Sequence, residues 1–252
     1  MALEYRRLGF DPHLVDYADA FALQKQLHVD AMADPSRSTV LLLEHADVYT
    51  AGKRTEDHEK PRDGTPVVEV DRGGKITWHG RGQLIGYPIL HLKHRTLVKK
   101  YVCALEDTIM KVLRESYGIT STRVEGRVGV WIVGDSASGT PDRKIAAIGV
   151  RNHRGVTTHG FALNCSNAQS PFENIVPCGI DDAETTSITR EIGRVVTPAD
   201  VVDQIEQELR AVLPRFVKES ADQESSGYAD PAANSERAAP SNTSTLKEGS
   251  IT

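Results

Sequence analysis

The chain has 252 residues, 39% hydrophobic and 26% charged, with a formal net charge of −5. That is enough apolar material for one large or two small globular domains. No run of about 18 apolar residues suggests a membrane span, and the charge balance does not suggest a nucleic-acid partner. The opening "MALEYRRLGFDPHLVDY" lacks the apolar core of a signal peptide. Three cysteines at no paired spacing make neither a disulfide framework nor a zinc site, so no metal and a cytoplasmic location are expected.

Asp11-Pro12 reads as a helix cap and first-turn proline, followed by Leu14, Tyr17, Phe21 and Leu27 at rough helical spacing to about Asp30. "STVLLLEH" (38–45) is a continuous apolar run of buried-strand length. "TPVVEVDRGG" (65–74) reads as a strand entering a glycine turn, and "KITWHGRGQLIGYPILHL" (75–92) mixes strand stretches with three glycines. "TLVKKYVCALEDTIMKVLRESYG" (96–118) is the clearest helix: Val98, Val102, Leu105, Ile109 and Val112 form a stripe, and Gly118 suits its end. "RVGVWIV", "RKIAAIGVR" and "VTTHGFALNCS" predict three strands in an antiparallel meander. "TPADVVDQIEQELRAVLP" closes the folded part, with Thr197 as cap, Pro198 opening the helix, and Val201, Ile205, Leu209 and Val212 facing the core. The expected class is α+β of the two-layer α/β type: a mixed, largely antiparallel sheet with flanking helices. The expected domain is 1–218. Residues 219–252 carry six acidic and two basic residues and few large apolar ones, and are expected to be a disordered acidic tail.

Cys103 lies in the long helix and Cys165 ends an apolar strand, so both read as core. Cys178, in "NIVPCGI", stands between a proline and a glycine in a loop, and either packs or is presented. A nucleophilic thiol needs a neighbouring base or cation. Lys144 in "RKIAAIGV" shares a strand face with Ala146, Ile148 and Val150, where a lysine either snorkels or sits partly dry. His79 and His159 each precede a glycine, and His45 follows a buried strand; these are auxiliary candidates. Arg72 beside Gly73 and Gly74 is an anion clamp or a surface turn. Neither a phosphate-binding P-loop nor a serine-hydrolase elbow is present.

"DRGGKITWHGRGQLIGYPIL", "RKIAAIGVRNHRGVTTHGFALNC" and "PCGI", in this order, together with the upstream "LLLEHADVYTAGK", resemble the lipoyl(octanoyl) transferases, the lipoate-protein ligase B family. The resemblance spans roughly residues 5 to 215. It implies a fold shared with biotin and lipoate protein ligases. It also implies transfer of an octanoyl group from octanoyl-acyl carrier protein to a lysine of lipoyl domains, in 2-oxoacid dehydrogenase complexes and the glycine cleavage H protein. By the same resemblance Cys178 is the nucleophile that carries the acyl group, Lys144 is the acid/base, and no cofactor or ATP is needed. The acyl-binding segments would be Arg72, Gly73, Gly74, Lys75, Ile76, Thr77, Trp78 and His79; Ala147, Ile148 and Gly149; and Gly160, Phe161 and Ala162.

Acidic protein partners would meet a basic face, for which Lys93, Arg95, Lys99 and Lys100, or Arg151 and Arg154, are the candidates. The family usually has proline where Arg81 stands in "HGRGQ"; arginine is expected to loosen that turn and add charge near the acyl entrance. The rival reading is an ATP-dependent lipoate or biotin protein ligase, for which a nucleophilic cysteine has no use.

Overall fold

A computed structural model describes residues 3–135, 137–175 and 183–219. Residues 1–220 form one compact unit. In chain order the elements are β1 (Glu4–Gly9), α1 (Tyr17–Ala33), β2 (Thr39–Leu43), β3 (Val48–Ala51), β4 (Val67–Glu69), β5 (Thr77–His79) and β6 (Gln83–Ile89). Then come α2 (Val98–Tyr117), β7 (Thr122–Val124), β8 (Arg127–Ile132), β9 (Arg143–His153), β10 (Val156–Asn164), α3 (Ser170–Glu173), β11 (Glu184–Thr185), α4 (Ile188–Ile192) and α5 (Pro198–Val212).

Among the described residues the main sheet has eight strands in the order β1-β2-β6-β10-β9-β8-β7, with β11 joining β9; β4, β3 and β5 make a small second sheet. Only β1–β2 and β11–β9 are parallel in the main sheet. The β8-β9-β10 meander is antiparallel, and Arg154-Gly155, both at positive φ, turn β9 into β10. The α+β expectation holds, with helices divided between both faces. Leu41, Leu43, Ile85 and Ile89 pack with Ala20, Leu27 and Ala31 of α1. Val40, Leu42, Leu84 and Leu163 pack with Leu105, Ile109 and Val112 of α2 and with Val201, Ile205 and Leu209 of α5. The strands at the centre are therefore apolar at consecutive positions, as "TVLLL" is, because both faces are covered.

α2 ends on Gly118 in the left-handed conformation, and α5 begins with a capping box in which Thr197 and Asp200 exchange hydrogen bonds. α1 differs from expectation. It starts at Tyr17, where the Asp16 carboxylate accepts from the Ala18 N–H at 2.7 Å, and not at Asp11-Pro12, which lies in the preceding turn. Two aspartates compete as caps in this stretch, and only the second leaves Tyr17, Ala20, Gln24, Leu27 and Ala31 on the buried side. β1 carries no alternation because it is a charged edge strand, which hides it from pattern reading. Cys165 is buried as expected, whereas Cys103 is exposed. The buried residues Tyr101, Leu105, Thr108 and Val112 fix the inner face of α2, and Cys103 falls on its other side. No helix among the described residues is long and apolar enough to cross a membrane.

The centre of the sheet is held close by glycine. A Cβ on Gly160 would lie 2.0 Å from the Gly86 carbonyl oxygen on β6, and one on Gly86 would lie 2.2 Å from the Phe161 ring. Gly160→Ala is therefore expected to destabilise the protein by roughly 2 kcal/mol or more, because a backbone atom cannot yield as a side chain can. Urea unfolding at neutral pH measures this directly.

Candidate functional site

β9 carries the decisive irregularity. Val130 pairs with Ala146, but the next residue, Trp131, pairs with Lys144, so Ile145 is an extra residue in β9. This is a β-bulge, and it reverses the alternation of side chains. Ile145 and Ala146 are consecutive and both lie in the apolar core under α2. Lys144 accordingly leaves the face of Ala146, where alternation alone puts it, and joins Ala147 in lining a cavity. It is 7% exposed, so it does not snorkel to solvent. Its Nζ sits 4.6 Å from the Trp131 ring centroid, a cation–π contact, and it has no carboxylate or other acceptor among the described residues.

The cavity measures about 720 Å³. The pairing of β8 with β9 stops at Ala146, and past that point the cavity runs between Gly126–Val128 and Ile148–Val150. Its walls include Arg72, Gly73, Gly74, Lys75, Thr77, His79, Lys144, Ala147, Ile148, Gly149, His159, Gly160, Phe161 and Ala162. Three distant stretches of sequence are thus brought to one place. Ile76, Trp78 and His45 are not part of it. In β5 the side chains alternate: Thr77 and His79 face the cavity, while Ile76 and Trp78 pack with Tyr49, Phe172 and Ile175 on the other side. His45 is held in the interior, with Nδ1 2.9 Å from the Val15 carbonyl and Nε2 2.9 Å from the Tyr87 hydroxyl.

Arg72 is a structural brace in this loop. Its guanidinium donates to the carbonyls of Gly73, Lys75 and Thr50 and to the Thr50 hydroxyl, at 2.7–3.1 Å. Gly149 lets the loop approach: a Cβ there would lie 3.1 Å from the Gly73 oxygen and 3.2 Å from Arg72 Cδ. Lys75 pairs outward with Glu56 and Glu59. Arg81, in contrast to expectation, does not reach the cavity. It pairs with Asp11 at 3.0 Å on the surface, while Gly82, at positive φ, donates to Glu44 and accepts from Cys165 and Ser166. The turn is anchored by these bonds and not loosened.

The end of the cavity nearest α1 is polar and aromatic. Tyr17, His79, Tyr87 and His159 line it. The Tyr17 and His79 rings stack at 6.4 Å. Burial pulls His79 down to about 3 and His45 to about 4, both from 6.5, so both are neutral. His159 is lowered by burial too, opposed by its bond to Asp71, 3.0 Å from Nε2. Its backbone is in the left-handed region at φ 58°, and its N–H is taken by Gln24 of α1 at 2.8 Å. A strained, non-glycine residue held this way is a signature of a functional wall. Pattern reading assigns Tyr17 to the core and gives no signal for Tyr87, Gln24 or Asp71, whose roles depend on which elements meet.

Of the basic candidates, Lys99 lines the cavity, Lys93 pairs with Glu219, and Arg151 pairs with Asp71. Among the described residues no cluster of three or more His, Cys, Asp or Glu is placed to hold a metal ion. Cys178 and the tail from residue 220 lie outside the described residues. The chain before Cys178 reaches Ile175, packed with Trp78 and Phe172. After it, Ala183, Glu184 and Thr185 share a small recess with Lys144, and Thr185 pairs with Lys144 in the sheet.

The neutral histidines predict an acid sensitivity. An unfolded histidine takes a proton below about pH 6.5, while buried His45 and His79 resist it until about 4 and 3. The unfolded state then binds more protons, so stability falls as pH drops from 6.5 toward 4, by up to ~1.4 kcal/mol per unit for each group. Chemical unfolding at pH 7 and pH 5.5 is expected to show this loss, and a His45→Gln/His79→Gln variant is expected to show a smaller one.

Residues 16–210 match the family model of the lipoyl protein ligase A/B catalytic domain. The octanoyltransferase of Paenarthrobacter aurescens is 55% identical over 208 residues, covering 82% of this chain and 92% of that protein. The octanoyltransferase of Renibacterium salmoninarum is 52% identical, with coverages of 84% and 89%. The fold is also that of lipoate-protein ligase A bound with ATP, at a TM-score of 0.57 and 12% identity over 88% of this chain and 90% of that one. P. falciparum LipL1 in complex with lipoate gives a TM-score of 0.59 at 11% identity, over 85% and 62% of the two chains. The chain belongs to the lipoyl protein ligase A/B family, and within it to the octanoyltransferases.

Proposed function

We propose that this chain transfers an octanoyl group from octanoyl-acyl carrier protein to a lysine of a lipoyl domain, through a thioester on Cys178. The observation that carries the reading is Lys144: a buried cation, re-aimed by the bulge into the cavity wall, beside the chain that resumes after Cys178. The relatives named octanoyltransferase supply the acyl group.

In the first step the Cys178 thiolate attacks the carbonyl carbon of the donor thioester. The tetrahedral intermediate collapses, the carbon–sulfur bond to pantetheine breaks, and the departing sulfur takes a proton from Lys144. One thioester replaces another, so ATP is not needed. In the second step the acceptor amine attacks the acyl-cysteine carbonyl, its proton passes to neutral Lys144, and Cys178 leaves as thiolate. Amide formation drives this step. The indole face of Trp131, 4.6 Å from Nζ, stabilises the ammonium form that the first step requires. An octanoyl chain buries about seven methylene-sized units at ~0.8 kcal/mol each, or roughly 5 kcal/mol, against Ala147, Ile148, Phe161 and Ala162. The catalytic domain is residues 1–218, acting in the cytoplasm. The acceptors are the lipoyl domains of 2-oxoacid dehydrogenase complexes and the glycine cleavage H protein.

Incubation with octanoyl-carrier protein, without nucleotide, is expected to raise the intact mass by one octanoyl group on Cys178. Cys178→Ser should abolish the adduct, and Lys144→Met should slow its formation by about 10²- to 10⁴-fold. An adduct in Cys178→Ser, or a strict need for ATP, would overturn the reading; the latter would favour a ligase.

A further inference from the structure

A buried chain of amides runs from the cavity to the neighbourhood of Lys144. His79 Nδ1 lies 2.7 Å from Gln83 Oε1, Gln83 Nε2 donates to Asn164 Oδ1 at 2.8 Å, and Asn164 Nδ2 donates to the Thr186 carbonyl at 2.9 Å. The Thr186 N–H in turn donates to the Lys144 carbonyl at 3.0 Å. Gln83 and Asn164 are buried and also border the recess that holds Lys144.

The direction of this chain is fixed at its far end. A main-chain carbonyl can only accept, so Asn164 must present its NH2 to Thr186 and its oxygen to Gln83. Gln83 must then present its NH2 to Asn164 and its oxygen to His79. An amide oxygen can only accept, so His79 must carry its proton on Nδ1. The remaining ring nitrogen, Nε2, holds a lone pair. It has no partner among the described residues, on a side chain that is 8% exposed and lines the cavity. An acceptor that opens onto the cavity wall is placed to receive an N–H from a ligand bound there.

Resting on the acyl-transfer reading, we propose that His79 Nε2 accepts a hydrogen bond from the ε-amine of the acceptor lysine, with Gln83 and Asn164 as positioning residues that hold His79 in the Nδ1–H tautomer. The octanoyl chain offers no hydrogen-bond donor, whereas the incoming amine brings two. A neutral ring suits it twice over: it does not repel the cationic acceptor on approach, and it favours the amine over water by orienting its nitrogen. His79 takes no proton; that remains with Lys144. Thr77, on the same face of β5, lines both the recess of Lys144 and the cavity of His79, so the two groups flank one continuous wall.

Histidine-labelled protein tests the tautomer directly, with the His79 signal identified from His79→Gln. Long-range ¹H–¹⁵N spectra of the unmutated protein are expected to show a protonated Nδ1 and a bare Nε2, with the Nε2 signal shifting when Nα-acetyl-lysine amide is added. In Gln83→Met the tautomer is expected to become mixed. Transfer to a lipoyl domain should then slow roughly tenfold more than acyl loading from octanoyl-carrier protein, chiefly through KM for the lipoyl domain. A protonated Nε2 in the unmutated protein would refute the proposal without any variant. So would an equal loss of loading and transfer, as for a merely structural role, or a rise only in donor KM, which would assign Nε2 to a pantetheine amide. If the unmutated protein never loads an acyl group, the acyl-transfer reading fails instead, while the spectra still judge the tautomer.

Discussion

The site depends on one inserted residue in a β-strand. Without the bulge at Ile145, Lys144 would share the face of Ala146 and meet the apolar core under α2, where an unpaired ammonium is costly to bury. With it, Ile145 and Ala146 fill the core at consecutive positions and Lys144 turns to the cavity. The same irregularity marks where β8 and β9 part. Gly129, at φ 126° with the Ala146 oxygen 2.5 Å from where its Cβ would stand, makes the close passage possible. A packing solution on one face of the sheet thus creates a chemical site on the other.

Around that lysine the cavity walls are built from stretches far apart in sequence. The glycine-rich segment before β5 is braced from within by Arg72 and laid onto β9 at Gly149, closing one wall. The opposite wall is built of rings on α1, β5, β6 and β10, whose polar atoms are committed to fixed partners or open to the cavity. Burial holds His79 of this wall neutral and lowers His159 against the opposing pull of Asp71. The cost is acid sensitivity, because every neutral buried histidine favours the unfolded chain as pH falls.

The stretches that line the cavity were legible from sequence: the turn before β5, the "AIG" of β9 and the "GFA" of β10 are where the resemblance puts them, and the structure brings them together. Within them, alternation sorted the residues further than the motif did, since Ile76 and Trp78 share the segment but face another cluster. Cys103 and His45 are among the features that escaped. Cys103 reads as core by residue type, yet helix phase leaves it exposed. His45 looks like a site residue by its place after a strand, yet its ring is bound to Val15 and Tyr87 in the interior. Neither depends on local sequence; both depend on what packs opposite.

Composition, periodicity and capping residues by themselves determined the class of the fold, helices α2 and α5 and the central meander. These are local properties, fixed by spacing along the chain. Only the tertiary structure decided which way Lys144 points, which nitrogen of His79 bears the proton, and that Arg81 pairs with Asp11 away from the cavity. Each is set by a partner far away in sequence: Trp131 across a bulged ladder, Thr186 at the end of an amide chain, a turn before the first helix. No spacing rule records such partners, because they exist only once the strands have paired.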